Sequence, residues 1–100
     1  MTDERREDPR RVVSIEAHWE GLSGRHTARV SDLSMGGCFI DTTGQTEVGE
    51  LIRFAIRRPG GGWLRVRGEV ASVDPPTGFS LAFTYLTEDE QHALAELLDR

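Results

Sequence analysis

The sequence predicts an all-β domain of six short strands, built as a small barrel or sandwich, with one C-terminal α-helix. Three observations carry this. Apolar and polar residues alternate in short runs from Val12 onward. Strong turn signals separate those runs, above all Pro59-Gly60-Gly61-Gly62 and Asp74-Pro75-Pro76-Thr77-Gly78. Near Thr87 the apolar period lengthens from two residues to that of a helix. A barrel would remove most open strand edges, and the helix would cover an end.

Each element follows from its pattern. Val13, Ile15, Ala17 and Trp19 alternate with Ser14, Glu16, His18 and Glu20, so the first strand has one apolar face. Gly21 to Gly24 is a turn. In the second strand, His26 to Ser31, Ala28 and Val30 face inward against Thr27, Arg29 and Ser31. Asp32 to Gly37 interrupts the alternation, and Cys38-Phe39-Ile40 opens the third strand. In the fourth, Leu51 to Arg57, the inward residues are Ile52, Phe54 and Ile56; Arg53, Ala55 and Arg57 face out. Trp63 to Val73 is the fifth, with Leu64, Val66 and Val70 inward. Val73 is out of phase with Val70, which predicts a bulge near Ala71. Phe79, Leu81 and Phe83 mark the sixth. Thr87 and Glu90 form a capping box for a helix over 87–99, with Ala93, Leu94, Leu97 and Leu98 on one stripe.

Composition bounds what such a domain can do. One hundred residues with 37% hydrophobic content support one modest core. A formal charge of −5 disfavours a general nucleic-acid surface. The single cysteine, Cys38, excludes an internal disulfide framework and suits a reducing cytoplasm. No apolar run approaches the roughly 20 residues of a membrane helix, and the charged start does not read as a signal peptide. His18, His26 and His92 are scattered without metal-ligand spacing. Ser34 lacks a nucleophile elbow, and Cys38 has no histidine beside it. The expectation is a binding protein, not an enzyme, with no metal or cofactor.

Two short motifs carry the binding chemistry. The first is RxxxR at Arg6 and Arg10, preceded by Arg5. Pro9 fixes its own φ and pushes Asp8 toward extended geometry, so the segment is not regular helix. Guanidinium groups match phosphate oxygens bidentately and stack on aromatic faces. The second motif is DxSxxG at Asp32, Ser34 and Gly37. A carboxylate at Asp32 can accept from the N1–H and exocyclic amine of a guanine, and Ser34 can donate or accept. Gly36 and Gly37 let backbone approach a flat ligand. Taken singly, the arginine cluster reads as a solvated terminus and DxSxxG as an Asx-type turn.

The two motifs in this order, in a chain of this size, resemble the PilZ domain, a bacterial receptor for cyclic di-GMP. The resemblance implies a six-stranded antiparallel split β-barrel over 12–100 with its C-terminal helix. It implies that residues 1–11 form an arm that folds over ligand on the barrel's outer face. The implied ligand-binding residues are Arg5, Arg6, Arg10, Asp32, Ser34, Gly36 and Gly37. The arm also carries Asp3, Glu4, Glu7 and Asp8, which bring its net charge near zero. One cyclic di-GMP carries two negative charges, for which Arg6 and Arg10 suffice; Arg5 gives reason to expect a stacked pair of ligands. The signal would then pass to an effector protein. The alternatives are a barrel of the same fold that serves as an adaptor without nucleotide, or a small barrel binding single-stranded nucleic acid. Arg53, Arg57, Arg58, Arg65 and Arg67 stand on outward positions of two strands that can pair. Solvation is their ordinary role, and a second anion-facing patch is the alternative.

Overall fold

The computed structural model describes residues 10–99. Six strands close into a barrel: β1 (Arg11–Gly21), β2 (Gly24–Leu33), β3 (Gly37–Asp41), β4 (Leu51–Arg57), β5 (Trp63–Asp74) and β6 (Gly78–Phe83). Their order around the ring is β1-β2-β3-β6-β5-β4, and every neighbouring pair is antiparallel. Of the barrel and the sandwich that the alternation allows, the closed barrel is the one observed. The β4–β1 pairing closes it through Ala17↔Ile56 and Trp19↔Phe54.

The inward residues of each run fill the barrel. Ala17, Val30, Cys38, Ile40, Ile56 and Leu94 are fully buried. Trp19 is the largest of the buried side chains; its ring stacks on His26, meets Phe79 edge-on, and donates from Nε1 to Thr42 Oγ1 at 3.1 Å. Burying a large aromatic whose one polar atom is satisfied is among the most stabilising single contributions available to a small core. Gly24 takes φ +113° where β1 turns into β2, a conformation that favours glycine.

Register shifts place three irregularities. The one between Val70 and Ser72 is the bulge anticipated near Ala71. A second, between Val12 and Ile15, leaves Val12 92% exposed. The third, between Val30 and Asp32, lets β2 run on through Leu33 where the alternation had been expected to stop. The bulge turns Leu33 into the core and leaves Asp32 on the outer face.

The helix α1 (Glu88–Leu98) begins at Thr87 with both halves of the capping box formed. Ala93, Leu94 and Leu97 are buried, and α1 packs beside β5. Three arginines hold it from the barrel. Arg67 donates to Glu90 at 2.8 Å and Arg58 to Glu96 at 3.4 Å. Arg11 donates to the Leu98 carbonyl at the helix C-terminus, where α1 has no basic residue of its own in the last turn.

Candidate functional site

Antiparallel pairing explains why two motifs distant in sequence meet. Arg11 at the start of β1 stands opposite Leu33 at the end of β2, and Val12 opposite Asp32. Arg10 therefore enters the barrel beside the DxSxxG turn. Its guanidinium donates to Asp32 Oδ1 at 2.6 Å, a charge-assisted bond between the two motifs. Arg5 and Arg6 lie outside the described residues.

Ser34 is the pin of the β2–β3 turn. It is 2% exposed. Its Oγ accepts from the backbone N–H of Gly36 and of Gly37 and donates to the Gly37 carbonyl, each at 3.2 Å. A hydroxyl has one donor and two acceptor lone pairs, so this arrangement uses all of them. A hydrogen bond from Ser34 to a base edge would have to replace one of these. The side chain instead fixes the turn that follows Asp32.

Gly37 is required by packing. A Cβ there would lie 2.1 Å from the Leu81 carbonyl oxygen on β6. Gly36 accepts the Phe83 N–H through its carbonyl at 2.9 Å, which holds the turn against the end of β6. The small side chains leave the outer face flat: Gly37 is paired with Ala82.

Beside that flat patch runs a row the sequence did not single out. Asp32 pairs with Phe39, Phe39 with Ser80, and Ser80 with Ser72. Ser72 and Ser80 share a hydrogen bond of 2.6 Å, and Ser31 donates to Asp41 at 3.2 Å. Phe39 is half-buried between two fully buried neighbours, Cys38 and Ile40. An aromatic on the outward phase of a β3 that begins at Gly37 was the available signal for it.

Cys38 lies directly beneath. Burial pushes its thiol far above the ordinary range, and the Asp32 carboxylate adds to the shift. Such a thiol is no nucleophile at neutral pH. Among the described residues no group of three His, Cys, Asp or Glu side chains gathers to hold a metal. No helix among them is long and apolar enough to cross a membrane.

Solved structures show the same fold. The PilZ domain of CeSA from a cellulose-synthesising bacterium superposes with a TM-score of 0.73 at 16% identity, over 92% of this chain and 99% of that one. The Bacillus subtilis inhibitor of motility MotI/DgrA gives 0.74 at 19% identity, over 98% of this chain and 54% of that one. The K. pneumonia MrkH–c-di-GMP complex gives 0.75 at 19% identity, over 97% of this chain and 51% of that one. The chain thus spans about half the length of the latter two. No curated protein matches the sequence. The PilZ domain family matches residues 4–100, nearly the whole sequence, and the chain belongs to that family.

Proposed function

We propose that this protein is a receptor for cyclic di-GMP, in which an arm over residues 1–11 closes on a barrel over 12–100. The observation that carries the reading is the Arg10–Asp32 contact at 2.6 Å beside the flat Gly37–Ala82 patch. It supports the reading because a guanidinium suited to phosphate stands beside a carboxylate suited to a guanine edge. Arg5, Arg6 and Arg10 supply guanidiniums for the phosphates, and Asp32 accepts from a guanine's N1–H and amine. Ser34, Gly36 and Gly37 shape the surface on which a purine lies, and Phe39 offers an adjoining apolar face. One structural neighbour, MrkH, was solved as a complex with c-di-GMP, which supports the same ligand class.

Arg10 also sets a constraint. Its charge is already answered by Asp32, so a phosphate must compete with that carboxylate or share the guanidinium fork with it. The signal then passes to a partner protein. The test is calorimetric titration with cyclic di-GMP, with cyclic di-AMP and GTP as controls. Binding of cyclic di-GMP alone supports the reading, and a stoichiometry of two would give Arg5 its use on a stacked second ligand. Equal binding of cyclic di-AMP removes Asp32 from the base-reading role. No binding leaves an adaptor of the same fold.

A further inference from the structure

A groove of about 600 Å³ crosses the outer face of β1, β4 and β5, with Arg25 from the start of β2 at its border; neither Asp32 nor Phe39 lines it. Its floor is Ala55, which stands between His18 and Arg65 in register and is only 7% exposed although it faces out. One end is walled by Trp63, whose ring lies 4.5 Å from that of His18, with the Arg57 guanidinium 5.4 Å from its centroid. The next row places Arg53 directly opposite Arg67.

Like charges opposite each other across two strands are destabilising. Arg67 is paired with Glu90 at 2.8 Å, whereas Arg53 has Glu20 opposite it on β1 and neither Arg53 nor Arg65 has a carboxylate oxygen within 4.0 Å among the described residues. Two guanidiniums without an ion pair on one groove of a chain whose net charge is −5 form a local positive patch. An anionic occupant would answer them.

The shape selects among anions. Arg65 is the diagonal neighbour of Arg53, and such pairs stand about 7–8 Å apart. An extended chain repeats its same-side side chains about every 7 Å. We propose that this groove docks an extended acidic segment of a partner protein. Carboxylates two residues apart meet Arg53 and Arg65, and an apolar side chain two residues further lies on Trp63. A polyanionic nucleic acid fits less well, because it brings more charge along the groove than two carboxylates do, against Glu20 at the border and a net charge of −5. The inference does not depend on the dinucleotide reading, since none of these residues belongs to the Arg10–Asp32 surface.

The experiment is an amide-detected NMR titration of the whole chain. The probe is a capped seven-residue peptide with glutamates at positions two and four and leucine at six, serines between and glycines at the ends. Shifts concentrated at Ala55, Arg65 and the Trp63 indole are expected. Arg65→Glu is expected to weaken binding tenfold or more, whereas Arg29→Glu, which makes the same charge change off the groove, weakens it less than threefold. Arg53→Glu repeats the test should Arg65→Glu not fold. Shifts spread over the surface, or equal losses for Arg29→Glu and Arg65→Glu, overturn the proposal. So does a ten-nucleotide oligothymidylate that produces the same shifts at lower concentration than the peptide. Cyclic di-GMP affinity is expected to be unchanged in Arg65→Glu, which keeps the two sites' tests separate.

Discussion

Arg10 and Asp32, one from each sequence motif, are bound to each other at 2.6 Å on the outside of the barrel. Both side chains keep substantial exposure, 54% and 32%. An ion pair so placed contributes about 0–1 kcal/mol to stability. Its residues are therefore free to be judged by what they bind.

Arg10→Ala is expected to melt within a few degrees of the wild type, yet to lose about ten- to a hundredfold in cyclic di-GMP affinity. That loss corresponds to one charge-assisted contact of about 1.5–3 kcal/mol. Asp32→Asn is expected to weaken binding less than Asp32→Ala, because the amide oxygen still accepts one hydrogen bond. Calorimetry on the three variants, with thermal melts alongside, decides this. Wild-type affinity in both Arg10→Ala and Asp32→Ala removes the pair from the ligand site.

The motif glycine answers to a different constraint. Gly37→Ala would drive a methyl group to 2.1 Å from the Leu81 carbonyl oxygen, which is backbone and cannot rotate away. The expected cost is about 1–3 kcal/mol. For a domain of this size each kcal/mol lowers the melting temperature by about 4–8 °C. Gly60→Ala is the control, since a Cβ at that position would point into open space. Its melt is expected to match the wild type, and equal melts for the two variants would contradict the close β3–β6 approach.

Much of this was legible in the sequence, for a physical reason. A half-buried strand writes its two faces into alternate residues, so Val13 to Trp19 and Ile52 to Ile56 declared themselves, and the phase break at Val70 and Val73 declared its bulge. The bulge before Asp32 did not, because Ser31 and Asp32 are both polar and carry no phase. Ala55 read as an outward residue, which it is, but the groove around it comes from His18 and Arg65 on other strands. The bonds that the Ser34 hydroxyl makes inside its turn were not legible, because residue type alone does not show where a hydroxyl's partners lie.

Cys38 gives a simple check on the core beneath the site. It is fully buried, and burial together with the nearby Asp32 carboxylate holds the thiol protonated. Ellman's reagent is expected to find no reactive thiol in the native protein and one equivalent after denaturation. Rapid native labelling would show that β3 opens from the barrel.

The last prediction concerns acid. Glu50 ties the loop after β3 to the β1–β2 turn: it accepts from Thr46 Oγ1 and from the Leu22 N–H, each at 2.6 Å. Those bonds hold its carboxyl below the ordinary value of 4.5. Glu90 is likewise lowered, first by the Arg67 hydrogen bond and then by the Thr87 N–H. A carboxylate whose folded pKa is depressed adds stability above its unfolded pKa, and that stability is lost as pH falls through the folded value. The melting temperature is therefore expected to be flat from neutral pH down to about the ordinary glutamate range and to decline below it. Glu50→Gln and Glu90→Gln are each expected to be less stable than the wild type at neutral pH, with the gap closing as the wild type's carboxylates protonate. A gap that stays constant into strong acid would show that these side chains act through shape and not through charge. A melting temperature that rises on acidification would reverse the sign of the argument.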